Sequence, residues 1–290
     1  MAANDGVPVL VGVDGSENGR AALRWAAEWA RRSGAPLVAA SAWQYPRTAA
    51  LPGGPQLGPP EEMDRVVLED LQATIGDELG PEADDATPVV ERGPASWALL
   101  DLAARTGART LVVGKRGLGP LEGRLLGSVS RRVAEMSPCP VVIVPVGRSA
   151  ERPAEGPIVV GVDGSPAAES AVEFATEAAA ATDTSVVLVH GLAGLPAELA
   201  PSAVDRFVAQ AHELVERLAM RVKEAGVHVD TYVDVADPRS LIRAVADRRD
   251  ARLIVVGTSG DGPVSGMLIG TVVTHVTQQS DRPVAVVPAR

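Results

Sequence analysis

Short runs of branched apolar residues recur along the chain, separated by longer stretches that mix alanine with charged residues. In the amino-terminal half the apolar runs predict strands at about 7–13, 37–43, 88–92, 110–114 and 141–145, with helices between them at about 17–33, 61–79, 95–106 and 128–136. The carboxy-terminal half repeats the order, with strands near 157–162, 185–190, 227–234, 252–256 and 284–287. The runs are continuous in Val, Ile and Leu rather than alternating with polar residues, the pattern of strands covered on both faces. Strand alternating with helix predicts an α/β chain of two tandem Rossmann-like domains, each a five-stranded parallel sheet with helices on both faces. Ligands in such folds bind beyond the carboxyl ends of the strands, where the strand order reverses.

The two halves share motifs as well as elements. Val11-Gly-Val-Asp14-Gly-Ser16 recurs as Val160-Gly-Val-Asp163-Gly-Ser165, and Pro140-Val-Val-Ile-Val-Pro145 recurs as Pro283-Val-Ala-Val-Val-Pro288. Gly114-Lys115-Arg116-Gly117, nine residues, then Gly127-Ser128 recurs as Gly257-Thr258-Ser259-Gly260, nine residues, then Gly270-Thr271. The repeat predicts a first domain at 1–147, a linker at 148–156 and a second domain at 157–290. Asp14 to Gly114 spans 100 residues and Asp163 to Gly257 spans 94, so the first copy carries extra chain. Pro46 to Pro60, rich in Pro and Gly, reads as the surface loop that holds it.

Each glycine motif follows a strand and leads into a helix, which is the arrangement of a phosphate site. Glycine lets the backbone approach an anion closely, and the free N–H groups and dipole of the helix start then face it. Neither first strand is followed by Gly-x-Gly-x-x-Gly, and no Gly-x4-Gly-Lys-Ser/Thr occurs, which argues against a dinucleotide enzyme and a P-loop ATPase. Between 115 and 132 stand Lys115, Arg116, Arg124, Arg131 and Arg132 against Glu122; between 258 and 275 there is Asp261 and no Lys or Arg. The local field therefore favours an anion at the first motif. For Arg131 and Arg132 a solvated helix face is an equal reading.

The chain of 290 residues has a formal net charge of -10, which argues against nucleic acid or an anionic membrane as partner. Cys139 is the single cysteine, so no internal disulfide forms; it reads as a small buried residue rather than a reactive thiol. No signal-like or membrane-spanning stretch is evident, and a cytoplasmic location is expected. His190, His212, His228 and His275 show no metal-ligand spacing. Trp25 and Trp29, four apart, share one helix face. Trp43 admits a place near a bound base or in the core.

The duplicated motifs resemble the universal stress protein family in its tandem form, over nearly the whole chain. The resemblance implies ATP binding through Gly-x2-Gly-x9-Gly-Ser/Thr, with Mg²⁺ on the phosphates. It implies that Asp14, with Gly12 and Val13, lies beside the nucleoside, and that Ala42 presents main-chain groups to the adenine. Gly114, Arg116 and Gly117 would wrap the ribose and phosphates, and Gly127, Ser128, Val129 and Ser130 would hold phosphate oxygens. The second copy offers Val162, Asp163, Gly191, Gly257, Gly260, Gly270, Thr271 and Val272, with Val273 in the place of Ser130. Asp14 also reads as a turn former or helix N-cap, Ser128 as an N-cap, and Gly127 as a packing glycine.

The resemblance further implies that strands 141–145 and 284–287 pair across the halves, making the chain an internal pseudo-dimer that could form a homodimer. The function implied is regulatory, with nucleotide occupancy modulating conformation or an unidentified protein partner in a stress response. A slow ATP hydrolase or adenylyl-transfer enzyme, and an interaction module without nucleotide, are the alternatives. No residue is assigned a catalytic role.

Overall fold

The computed structural model describes residues 6–45, 58–118, 126–147, 155–196, 200–258 and 270–289. The first half runs β1 (Val9–Gly12), α1 (Glu17–Ser33), β2 (Leu37–Trp43), α2 (Pro60–Leu79), a 3-10 segment (Gly80–Asp85), β3 (Ala86–Arg92), α3 (Ala95–Thr106), β4 (Thr110–Gly114), α4 (Ser128–Met136) and β5 (Val141–Val144). The second runs β6 (Ile158–Gly161), α5 (Pro166–Thr182), β7 (Val186–Gly191), α6 (Pro201–Glu224), β8 (Val229–Asp234), α7 (Pro238–Arg248), β9 (Leu253–Gly257), α8 (Thr271–Gln279) and β10 (Val284–Val287).

The strands form one sheet in the order β3-β2-β1-β4-β5-β10-β9-β6-β7-β8. Within each half all pairs are parallel, and the halves meet where β5 and β10 pair antiparallel, Ile143 opposite Val284 and Val141 opposite Val286. The two five-stranded parallel halves are thus continuous in one ten-stranded sheet, joined by the expected pairing of β5 with β10 at its centre. Pairing saturates backbone groups that two separate sheets would leave as open edges.

Strand side chains alternate between two cores, one on each face. Val9, Val11 and Val112 face α1, α2, α5 and α6, while Leu10, Leu111 and Val113 face α3, α4, α7 and α8. Both cores run through both halves, which explains why the central strands lack a polar phase. Trp25 and Trp29 stack at 5.0 Å on α1, and Trp29 stacks at 6.3 Å on Phe174 of α5.

Local chemistry sets several boundaries. β1 starts at Val9 rather than residue 7, after Pro8, which has no N–H to donate. Ser16 and Ser165 are the N-caps of α1 and α5, accepting from Gly19 N (3.1 Å) and Ala168 N (3.2 Å). Pro60 opens α2 rather than closing the preceding loop, because proline suits a helix start, where its missing N–H costs nothing. Residues 46–57 of that loop and 148–154 of the expected linker lie outside the described residues.

Candidate nucleotide cleft

The strand order reverses between β1 and β4 in the first half, since the chain steps outward from β1 to β3 and then returns beside β1. Beyond their carboxyl ends lies a cleft of about 210 Å³. Gly12, Val13 and Asp14 reach it from β1, Ala42 from β2, and Gly114, Arg116 and Gly117 from β4. Gly127, Ser128, Val129 and Ser130 close it at the start of α4. Every first-half residue to which the family resemblance gives a nucleotide-binding role therefore borders one space.

Ala40, Val113, Ala95 and Leu99 form apolar wall, and Gly19 and Leu118 complete the lining. These were not anticipated. Ala40 is legible from the two-residue period of β2, on the face that carries Ala42. Ala95 and Leu99 are legible as an i, i+4 pair on α3.

The turn after β1 is held by Asp14, whose Oδ1 accepts from Ser16 N (3.1 Å) and Ser16 Oγ (2.6 Å). The N-cap itself is Ser16, so Asp14 orients the cap rather than acting as one. A Cβ on Gly117 would collide with Asp14 Oδ2, so glycine lets the loop pass over this carboxylate. A Cβ on Gly114 would lie 2.6 Å from the Asn18 carbonyl carbon, so β4 and α1 touch there backbone to backbone.

At α4 the N-cap is Gly127 rather than Ser128, with φ -65° and ψ 158° and no side-chain cap. The first helical bond runs from Arg131 N to Gly127 O (3.0 Å), so the amides of Ser128, Val129 and Ser130 precede the internal ladder. Such amides at a helix start suit an anion. The Ser130 hydroxyl is committed differently from expectation. It is buried and donates toward Lys115 O (3.0 Å) and Gly127 O (3.1 Å), so its proton fixes the loop instead of facing a phosphate.

The cation argument also changes. Lys115 is buried, and its Nζ donates to Gln278 O (2.8 Å) and Ser280 O (2.9 Å) of the second half. Arg131 pairs with Glu135 (2.9 Å) along the exposed helix face, and the Arg132 guanidinium lies 5.6 Å over the Trp97 ring. Arg124 lies outside the described residues. Arg116 is the described member of that basic group that borders the cleft. Trp43 is not at the cleft; its Nε1 donates to Asp64 Oδ1 (2.8 Å) and its ring meets Tyr45 edge-on at 5.0 Å. Cys139 is buried, and burial pushes its thiol pKa up, which makes it the inert cysteine of the simpler reading.

The second half repeats the frame, with differences in the residues that line it. Val162 and Asp163 follow β6, and Asp163 Oδ1 holds Ser165 N (3.0 Å) and Oγ (2.6 Å) as Asp14 holds Ser16. Gly257 ends β9, and Gly270, Thr271 and Val272 begin α8. Gly270 N donates to Thr258 O (2.8 Å), matching Gly127 N to Lys115 O (2.9 Å). Gly260 lies outside the described residues.

The register places Val189 where the first half has Ala40, since each sits opposite the glycine that ends its central strand. A Cβ on Gly191, the counterpart of Ala42, would lie 2.8 Å from Pro238 Cα and 2.9 Å from Ala236 O. The entry to α7 therefore lies directly on Gly191, at the end of β7 matching the one where Ala42 carries a methyl group into the cleft. His190 Nδ1 donates to Val162 O (2.7 Å) at the same strand ends. Val273, in the place of Ser130, is buried in the core.

Among the described residues no group of three or more His, Cys, Asp and Glu is arranged to hold a metal ion. Among them, too, no helix is long and apolar enough to cross a membrane.

Comparison with known proteins agrees with this geometry. The sequence model of the Universal stress protein family matches twice, at residues 8–145 and 156–288. A universal stress protein of Mycolicibacterium smegmatis is 33% identical over 290 residues, covering 97% of each chain. One from Mycobacterium tuberculosis is 31% identical over 298 residues, covering 98% of this chain and 97% of its own. The crystal structure of a universal stress protein from Archaeoglobus fulgidus shares the fold, with a TM-score of 0.68 and 19% identity over 97% of this chain and 96% of that one. This chain belongs to the universal stress protein family, with two copies of the family's domain in tandem.

Proposed function

We propose that the first-half cleft binds ATP and that its occupancy modulates conformation or partner binding in a stress response. The observation that carries this reading is the convergence of Asp14, Ala42, the Gly114–Gly117 loop and the Gly127–Ser130 amides on one cleft. The base would lie against Ala40, Ala42 and Leu99, the ribose beside Asp14, and the phosphates between Arg116 and the start of α4. A magnesium ion would ride on phosphate oxygens and water, since one or two carboxylates at most are asked of the protein by such an ion. Asp14 is the carboxylate at hand.

The second copy is the weaker site in this reading. Val189 replaces Ala40, the loop to α7 covers Gly191, and Ser259 replaces Arg116. The chain acts as a pseudo-dimer of domains at 1–147 and 157–290, in the cytoplasm, with a protein partner and a possible homodimer left to the same regulatory role.

Isothermal titration with Mg-ATP tests the proposal. The expected result is one tight site per chain, lost in Gly127→Asp and kept in Gly270→Asp. Equal affinities in the two variants would overturn the asymmetry, and no heat of binding in the unaltered chain would overturn the nucleotide reading.

A further inference from the structure

Lys115 occupies the second position of the first glycine motif, yet only 6% of its surface is exposed. Its ammonium crosses to the other half and binds the carbonyls of Gln278 and Ser280, at 2.8 and 2.9 Å, in and just beyond the last turn of α8. Carbonyls there lack helical partners and carry the negative end of the dipole, so a cation is favoured. The main-chain carbonyl of the same residue accepts from Gly127 N (2.9 Å) and Ser130 Oγ (3.0 Å). One residue thus grips the anion end of the first cleft with its backbone and the second half with its side chain.

The other end of α8 is Gly270-Thr271, which is the phosphate end of the second copy. At about 1.5 Å per residue, the nine residues of α8 make a rod of roughly 13 Å between Lys115 and that end. The link runs one way only. Thr258 keeps the backbone role through its carbonyl to Gly270 N (2.8 Å), but it has no ammonium to send across to α4.

We propose that Lys115 couples occupancy of the first cleft to helix α8 of the second half. The proposal rests on the nucleotide reading given above. An anion on the amides of residues 128–130 fixes the loop at Lys115, and the docked ammonium then holds the last turn of α8. A ligand or partner that needs α8 ordered meets a smaller entropic cost once the first cleft is filled. By linkage, the same factor acts in reverse on the affinity of the first cleft.

Hydrogen exchange of residues 276–281 tests this. The Gly270→Asp chain, which accepts an aspartate at a helix N-cap (φ -69°, ψ 159°), confines nucleotide to the first cleft. It is compared with Gly270→Asp/Lys115→Met, each without nucleotide and at saturating Mg-ATP, with loading checked by titration. The expected result is a several-fold slowing of exchange on adding ATP in the first chain, absent in the second. The same slowing in both chains, or ATP bound with no slowing in the first, overturns the coupling alone. Failure of the first chain to bind ATP overturns the nucleotide reading, and the coupling with it. Lys115→Gln, which keeps donors without the charge, replaces the methionine variant if that does not fold, and the same loss of response is expected.

Discussion

Trp29 is the residue whose removal most directly tests whether the halves form one cooperative body. It is 7% exposed, lies flat on Trp25 with 14° between the rings, and meets Phe174 of α5 across the junction. Counting from the caps Ser16 and Ser165, its counterpart on α5 is Ala178, so one tryptophan fills space shared by both helices. Trp29→Ala leaves a cavity in a core that spans both halves, and such truncations cost about 3–5 kcal/mol. Converted at about 2 °C per kcal/mol for a chain above 150–250 residues, the melting temperature falls by roughly 6–10 °C. Trp29→Phe keeps a ring on Phe174 and recovers more than half of the loss. Calorimetry of the three chains reads this, with a single transition that moves as a whole because β5 and β10 join the sheets. A fall under 2 °C, or two transitions of which one stays in place, refutes the reasoning.

Gly114→Ala drives a methyl group against the Asn18 backbone at 2.6 Å and lowers stability by about 1–3 kcal/mol, whereas Gly76→Ala, on an open face of α2 with nothing within 4 Å, raises it by about 0.5–1 kcal/mol; urea midpoints compare them. Glu78 on α2 is partly buried, which alone would raise its pKa, but hydrogen bonds from Arg20 and Arg24 outweigh this and hold it below the usual carboxylate value. Its contribution is therefore full above the unfolded pKa of about 4.3 and is lost as pH falls through the lower folded value. Glu78→Gln should be less stable at pH 7 and show a shallower acid limb in a pH series of melting temperatures. Cys139, buried and with its thiol pKa raised, should resist a thiol-reactive dye in the native chain at pH 8 and react fully in denaturant.

Most strands are legible because they are buried on both faces, so continuous Val and Ile runs mark them, whereas the edge strands β3 and β8 are mostly half-buried and carry Thr87, Glu91, Asp230 and Thr231. Boundaries moved by one or two residues where a proline removed a donor or a glycine ended a strand. The first-half cleft was legible because its backbone geometry demands glycine. Gly117 must pass Asp14, Gly114 must touch α1, and Gly127 must present uncapped amides, so those positions carried the motif. Apolar wall residues such as Ala40 and Leu99 are placed by the periods of β2 and α3, but those periods alone do not separate a cleft wall from a core position.

Lys115 counts toward the basic field in the sequence but not at the cleft in the structure, for a physical reason. A lysine between glycines, ahead of a helix start, has the chemistry of a phosphate ligand, and only tertiary structure brings Gln278 and Ser280, more than 160 residues away, to its ammonium. Ser130 likewise has a hydroxyl suited to phosphate, but its neighbours supply carbonyls first. The difference between the two copies was read as charge. In the structure Lys115, Arg131 and Arg132 direct their charge elsewhere, and the copies differ also in that Ala42 borders the first cleft whereas the entry to α7 lies against Gly191.

The central claim, that the first cleft holds an adenine nucleotide, is tested most directly on protein purified without added nucleotide. The folded chain is denatured, and the released small molecule is identified and counted by chromatography and mass spectrometry. The account predicts about one ATP per chain, retained in Gly270→Asp and missing from Gly127→Asp. No released nucleotide, together with no rise in melting temperature on adding Mg-ATP, would contradict it.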